Sequence, residues 1–285
     1  MEQLNYEVVW SDVNVLHLGY ANRELVHKKA NRNLRLCRLD YAVSPNDPAV
    51  LFHLGKECAR IGLNAEALGF LVKSLHLVTS RGTWVARLYG DIISTLILLD
   101  RKPEALAMVN QALVHFPTSH ELLFRQAELL EGQGNRAAAE QSLRSLLQAP
   151  AQNRFGDALS VIELRRQAYR SVGAACLARG DFEQAEHFFQ QWIAENPLDA
   201  DAWCMLGYSY VRRGFAQKAE FVVRQLRKLP NGEAFACGIQ SEICKFQGDW
   251  SAARQHLERA IVIAPELLMP RAMLVDLLMA VGADV

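Results

Sequence analysis

The chain has 285 residues, of which 51% are hydrophobic and 22% are charged, a composition typical of folded globular proteins. Its 31 basic and 31 acidic residues balance, so the overall charge favours neither nucleic acid nor an anionic membrane as a partner. The first residues lack the basic and apolar regions of a signal peptide, and the longest uncharged apolar stretch, residues 92–99, is too short to cross a bilayer. We therefore expect a cytoplasmic protein that binds no nucleic acid and inserts into no membrane.

The N-terminal region combines a strand-like segment with a basic helix. Residues 13–20 begin with alternating apolar side chains and end in a His-x-Gly-Tyr sequence that starts at His17. The following residues have the period of an amphipathic helix. Its basic residues are Lys28, Lys29, Arg32, Arg35 and Arg38. The apolar residues opposite them are Val26, Ala30, Leu34, Cys37 and Tyr41. We predict a strand-like segment over 1–20 and, over 21–47, a helix or partial repeat that covers the start of the next element.

A period of 34 residues organises the rest of the chain. The residues that recur with this period are Gly180, Gly214 and Gly248, together with Ala185, Ala219 and Ala253. Extending the period along the chain gives about six helix-turn-helix repeats, three over 48–153 and three over 166–267. An insertion over 154–165 separates the two groups. Residues 268–285 have the pattern of one further helix, which we expect to cap the last repeat.

Each recurring residue type has a physical reason in a pair of antiparallel helices. Small residues such as Gly173 and Gly207 are expected where the backbones of two helices cross closely. A glycine between the two helices, such as Gly180, is expected in the left-handed conformation that ends the first helix. Prolines such as Pro197 and Pro265 follow the second helix and end it.

Helix pairs of this length and pattern, over residues 48 to 285, resemble the tetratricopeptide repeat (TPR) family. The resemblance implies an all-α fold, a right-handed superhelical solenoid of about six repeats plus capping helices, here with a short strand-like segment in front. It also implies a protein or peptide partner that binds along a concave face lined by the first helices. By their places in the repeat, the residues expected on that face are Phe52, Lys56, Arg87, Phe124, Arg125, Glu128, Arg170, Tyr208, Phe235 and Lys245.

Catalytic and metal-binding patterns are scarce in this chain. It contains no His-Glu-x-x-His, no Gly-x-Ser-x-Gly and no Gly-rich phosphate-binding motif. Asp199 and Asp201 form an Asp-x-Asp pair, but they stand where a helix begins, and capping of its N-terminus explains them. The six cysteines show no metal-ligand spacing, so we expect reduced thiols, with Cys58, Cys176 and Cys244 buried as small apolar residues. We predict no metal and no cofactor.

The junction between the N-terminal segment and the first repeat is similar to one in family 2 glycosyltransferases that carry C-terminal TPRs. The matching residues are His17, Gly19, Tyr20, Lys28, Lys29, Arg32 and Asn33, then Pro45 and Leu51 to Gly55. In that family the His-x-Gly-Tyr strand ends an inverting GT-A catalytic domain, so the resemblance implies a metal or diphosphate role for His17 once such a domain is supplied. The nucleotide-binding sheet should precede His17, where this sequence has 16 residues. We therefore expect no sugar transfer by this chain alone.

Three functional hypotheses follow. The favoured one is a non-catalytic TPR scaffold that binds a protein or peptide partner. The alternative is the accessory, acceptor-recognition part of a split or truncated family 2 glycosyltransferase, whose partner would be the catalytic domain. A third is an assembly factor for a cell-envelope or secretion complex, which no particular residue supports.

Overall fold

The computed structural model describes residues 23–79, 83–150 and 158–282, and every regular element among them is an α-helix. The predicted all-α class is thereby confirmed. The predicted strand-like segment, including His17, lies outside the described residues. Among the residues described, no helix has both the length and the apolar character needed to cross a membrane. The chain divides into two compact units, residues 1–108 and 109–285, and each is described separately.

The described part of unit 1 is built from four helices that pack in chain order, followed by the first half of a fifth. These are α1 (Arg23–Val43), α2 (Pro48–Arg60), α3 (Asn64–Leu77), α4 (Thr83–Leu98) and the first half of α5 (Lys102–His115). Leu34 on α1 is buried against Leu54 and Cys58 of α2, and Cys37 and Tyr41 pack at the edge of the same cluster. The described arginines of α1 are exposed. The two predicted faces of this helix are therefore confirmed for its described residues.

Unit 2 begins with the second half of α5 and continues with nine helices in its described part. These are α6 (His120–Gly132), α7 (Arg136–Gln148), α8 (Ala158–Ala178), α9 (Phe182–Glu195), α10 (Ala200–Arg212), α11 (Ala216–Leu226), α12 (Gly232–Phe246), α13 (Trp250–Ile263) and α14 (Leu268–Gly282). From α6 onward each helix packs on the next, and α6, α8, α10 and α12 also pack on one another in that order. Helix α8 has 21 residues against 13 in α6, because its first turns come from the segment predicted as an insertion.

The turns inside the helix pairs follow the predicted glycine pattern. Each of five glycines has a φ between 74° and 86°, which confirms the left-handed helix ends at Gly62, Gly134, Gly180, Gly214 and Gly248. Asp100, with a φ of 56°, takes this place after α4. The second helices α5, α9 and α13 each end two residues before a proline, as predicted.

The first-helix glycines lie where another helix approaches closely. A Cβ on Gly173 would overlap the ring of Phe189, and one on Gly207 would overlap Ile239 of the following first helix. The prediction of a close approach is confirmed. At Gly55 an added Cβ would also lie 3.2 Å from a backbone oxygen of α3. Phe189 and Ile239 are both fully buried, so the glycines make room for large core side chains.

The cysteines are largely core residues. Cys58 and Cys176 are fully buried, as predicted. Cys244 is a correction, because it is only half-buried and packs beside Met273 and Leu274 of α14. All six thiols are unpaired.

Candidate partner-binding surface

In unit 1 the residues predicted for the binding face differ in how accessible they are. Phe52 is only 6% exposed, because the ring of Trp84 from α4 packs against it at 5.7 Å between centroids. The Lys56 ammonium lies 5.2 Å from the centre of the Phe52 ring, which favours a cation–π contact. Arg87, one helical turn after Trp84, is exposed. A partner in unit 1 would therefore meet Arg87 and Lys56, with Phe52 beneath them.

In unit 2 the predicted residues on α6 and α8 form an accessible mixed surface. Phe124 is half-buried, with its inner side against the core. One residue further, Arg125 donates to Glu128 at 2.9 Å. Arg170, on the packed neighbour α8, is exposed and makes no ion pair with any residue that the structure describes. The surface thus offers an aromatic edge, an exposed ion pair and an uncommitted guanidinium.

At the other end of unit 2 the last helix covers part of the predicted face. The Tyr208 hydroxyl donates to Met273 Sδ of α14 at 2.9 Å. Tyr208 and Phe235 line a residual cavity of only about 10 Å³ together with Met269 and Pro270 of the same region. Burial raises the pKa of Tyr208 well above its ordinary value, so the phenol stays protonated and can donate. These two aromatic residues are therefore packed against the protein's own C-terminal helix.

Lys245, the last residue predicted for the face, is half-buried on α12 and donates to Glu242 at 2.8 Å. Both partners lie on the same helix, one turn apart. This pair is local, so it holds Lys245 against its own helix without fixing it to a neighbouring one.

The Asp-x-Asp pair has the predicted capping role and a second one that the sequence did not indicate. Asp199 accepts from the backbone N–H of Asp201 at 3.0 Å and so caps α10, which confirms the prediction. Its other oxygen accepts from Trp192 Nε1 at 3.1 Å. Arg166 forms ion pairs with both carboxylates. These carboxylate oxygens bind an indole N–H, a guanidinium and a backbone N–H at a helix end. The Asp-x-Asp pair therefore links α8, α9 and α10.

A buried polar network next to this Asp-x-Asp pair was not predicted. Arg165, 6% exposed, donates to Leu146 O and Ala149 O at 3.3 and 3.1 Å, two carbonyls at the end of α7. Its Nε also donates to Glu195 Oε2 at 2.9 Å. The double-arginine sequence in the middle of α8 was a usable signal, because a charged side chain that a helix buries requires a partner.

Two further groups of this network have shifted pKa values. Burial raises the pKa of Glu195, but hydrogen bonds from Arg165 and Tyr169 outweigh it, so the net shift is downward and the carboxylate stays ionised. Burial lowers the pKa of His120, and the positive charge of Arg165 adds to the effect. Nε2 of His120 is buried without a hydrogen-bond partner. The network therefore favours a neutral imidazole next to a charged ion pair.

Within the described parts of the chain, no group of three or more His, Cys, Asp or Glu side chains is placed to hold a metal ion. Of the residues that resemble family 2 glycosyltransferases, some lie in the described part of the chain and some do not. His17, Gly19 and Tyr20 lie outside the described residues. Arg32 and Asn33 are on α1, where the Arg32 side chain donates to the Asn33 side chain at 3.3 Å.

Comparisons with known proteins identify the repeat. Family models described as tetratricopeptide repeat match residues 99–154 and 166–209. A search of curated proteins finds no sequence that matches this chain. Neither comparison detects a glycosyltransferase.

Among solved structures, the C-terminal part of a TPR repeat-containing protein from Cytophaga hutchinsonii is similar, with a TM-score of 0.59 and 11% identity over 88% of this chain and 97% of that one. PilF of Pseudomonas aeruginosa is similar with a TM-score of 0.50 and 16% identity, over 80% and 97%. A tetratricopeptide repeat protein from Parabacteroides merdae gives 0.46 and 18%, over 90% and 98%. At these identities the likeness concerns the fold alone. The chain is thus an all-α protein that contains tetratricopeptide repeats.

Proposed function

We propose that this protein is a non-catalytic TPR scaffold that binds a protein or peptide partner on the α6–α8 surface of unit 2, defined by Phe124, Arg125, Glu128 and Arg170. The observation that carries the proposal is Arg170. It is an exposed guanidinium without an ion pair among the described residues, and it lies on the helix packed against the one that carries a half-buried aromatic ring. Aromatic and arginine side chains supply most of the free energy at protein interfaces.

The charges of this surface suit a polar segment with an apolar anchor. The ion pair of Arg125 and Glu128 is exposed on both sides, so exchanging it for contacts with a partner costs little. Phe124 can bury its outer edge under an aliphatic or aromatic side chain. Tyr208 and Phe235 are excluded from the proposed surface because α14 packs on them.

The test uses a peptide selected on the full chain from a random library displayed on phage. Its dissociation constant is measured by fluorescence anisotropy for the wild type and for a Phe124→Ala, Arg170→Ala double variant. Loss of one aromatic and one arginine anchor should weaken binding by about 2 kcal/mol or more. A matched control is Phe221→Ala with Arg254→Ala, which removes the same residue types from exposed positions on α11 and α13. Equal dissociation constants for the wild type and the Phe124→Ala, Arg170→Ala variant would contradict the proposal.

The glycosyltransferase-accessory hypothesis rests on the sequence of residues 13 to about 60 and remains an alternative. It predicts that a GT-A catalytic domain, encoded upstream or by a neighbouring gene, forms a complex with this chain. Co-expression of the two followed by size-exclusion chromatography tests it. Separate elution would remove the hypothesis, whereas binding of a sugar nucleotide with Mn²⁺ by this chain alone, measured by calorimetry, would contradict our expectation that it is catalytically empty.

A further inference from the structure

A large pocket on unit 2 shares none of its lining residues with the proposed α6–α8 surface. It has a volume of about 690 Å³, opens to solvent, and is lined by the first turns of α7, the last turns of α8 and Glu131 of α6. Its apolar wall is made of Leu143, Val172 and four alanines. We call it the α7–α8 pocket. Residues 151–157 join the opposite ends of these two helices and are outside the described residues.

The equivalent joint, between α11 and α12, occurs two repeats later in the chain, and there it is closed by Ile243, which is buried, and by one side of Phe246, which is 68% exposed. In the 34-residue frame Ile243 and Phe246 of α12 occupy the places of Ala175 and Ala178 of α8. The cavity they line with Val211, at the end of α10, measures only about 10 Å³. The open α7–α8 pocket therefore lacks two side chains that line the closed joint, because α8 has alanines at their places.

The wall of the pocket carries an excess of positive charge. Its charged residues are Arg136, Arg144, Arg179, Glu131 and Glu140. Glu140 accepts from both Arg144 and Arg179, at 2.7 and 2.9 Å, so one carboxylate is shared by two guanidinium groups. Arg136 is exposed and forms no ion pair within the described part of the chain. At the closed joint the places of Arg136 and Arg179 are occupied by the uncharged residues Ala216 and Gln247.

We propose that the α7–α8 pocket is a second binding site, which takes an acidic segment of a partner protein and buries one or two of its aliphatic or aromatic side chains. With a volume of about 690 Å³, the pocket has room for an isoleucine and a phenylalanine side chain at the spacing of Ile243 and Phe246. Carboxylates beside that pair would meet Arg136 and Arg179 at the pocket wall. The site does not use the α6–α8 surface, so the two proposals can fail independently.

The probe is a fluorescein-labelled peptide, Asp-Ile-Glu-Glu-Phe-Asp, which reproduces the closed joint with acidic neighbours. Binding to the full chain is followed by fluorescence anisotropy at low and high salt. One comparison peptide has lysines in place of the acidic residues, and another has alanines in place of isoleucine and phenylalanine. We expect the probe to bind at least about tenfold more tightly than either, because burial of large apolar side chains and charge attraction both contribute. Its affinity should fall as salt is raised.

The decisive variant, Ala175→Ile with Ala178→Phe, transplants the residues of the closed joint into α8. Ala178 is exposed and Ala175 half-buried, so the change fills existing space and should preserve the helical circular dichroism. We expect the probe to bind at least about tenfold more weakly. The charge variant Arg136→Glu, at an exposed position, should weaken binding several-fold and flatten the salt dependence even if the filled variant does not fold.

Two controls separate this site from others. Ile243→Ala with Phe246→Ala opens the equivalent joint, which lacks counterparts of Arg136 and Arg179, and should not gain tight binding of the acidic probe. The Phe124→Ala, Arg170→Ala variant should bind the probe as the wild type does. The proposal is overturned if the wild type does not bind the probe, if the alanine peptide binds equally well, or if the folded filled variant or Arg136→Glu retains wild-type affinity.

Discussion

The hydroxyl of Tyr208 reaches across α12 to donate to Met273 Sδ at 2.9 Å. It passes over Gly238, where an added Cβ would lie 3.2 Å from the phenolic oxygen. A residue of α10 is thereby joined to α14, and the glycine between them leaves the path open. This contact explains why an aromatic residue that the repeat pattern assigns to a binding face is unavailable to a partner.

Removal of the Tyr208 ring should loosen α14. Tyr208→Phe deletes a hydrogen bond to a weak sulfur acceptor and should cost about 0.5–1 kcal/mol. Tyr208→Ala also deletes the packing against Met273 and should cost about 3 kcal/mol. Hydrogen exchange of the α14 amides, followed by mass spectrometry, should quicken in that order. Unchanged exchange in the alanine variant would show that α14 is held by its contacts with α13 alone.

Gly173 should tolerate no side chain. A Cβ there overlaps the fully buried ring of Phe189, so we expect Gly173→Ala to lower the free energy of unfolding by about 1–3 kcal/mol through overpacking. The matched control is Gly132→Ala in α6, where an added Cβ meets nothing within 4 Å. That change should be neutral or stabilising by up to about 1 kcal/mol, since alanine favours helix. Urea denaturation gives the free energy of unfolding of both variants. Equal changes in the two would contradict the close contact between Gly173 and Phe189.

The ion pair of Arg165 and Glu195 should be costly to break from one side. Arg165→Met leaves a partly buried carboxylate without its cation and removes the side-chain donor to the carbonyls at the end of α7, so we expect a loss of about 3 kcal/mol. Arg165→Met with Glu195→Met removes the uncompensated charge and should restore part of that loss. A double-mutant cycle on the free energies of unfolding measures the coupling. Strict additivity would show that the two side chains do not act as a pair.

His120 should make unit 2 less stable in mild acid. Burial lowers the pKa of the folded imidazole below its ordinary value of 6.5, whereas the unfolded chain keeps that value. As the pH falls through about 6.5 the unfolded chain binds the proton first, so the free energy of unfolding falls until the folded pKa is reached. Its contribution is fully present above about pH 7.

Replacement by a neutral residue checks this sign. His120→Gln should reduce the dependence of urea-induced unfolding on pH between about 7 and 5.5, since this titrating group is then gone. The pKa of His256 is also lowered, by burial first, so some dependence should remain. A His120→Gln variant with the full wild-type dependence would mean that the imidazole titrates equally in both states.

The helix pairs were predictable because their turns depend on local chemistry. A glycine with positive φ is required wherever the first helix ends in the left-handed region, and Gly62 or Gly180 can be recognised from one sequence. The all-α class follows from the same period. The accessibility of single side chains was less predictable, because it depends on residues far away in the chain. Phe52 is buried by Trp84, and Tyr208 by Met273.

The α7–α8 pocket shows a second limit of the repeat pattern. The pattern constrains residues such as Ala139 and Ala185 but leaves the places of Ala175 and Ala178 free. Whether that joint is open or closed depends on those free positions, and only the structure brings them opposite α7. The Arg165 network escaped prediction for a related reason, since its carbonyl partners belong to the end of another helix.

Each unit contains a buried thiol whose alkylation can report when that unit opens. Cys58 in unit 1 and Cys176 in unit 2 are fully buried, and burial raises the pKa of both, so neither reacts with an alkylating reagent in the closed state. Each becomes reactive only when its surroundings open. Pulses of such a reagent, followed by peptide mapping, would therefore time the opening of the two units separately in the unmodified protein, without an introduced label.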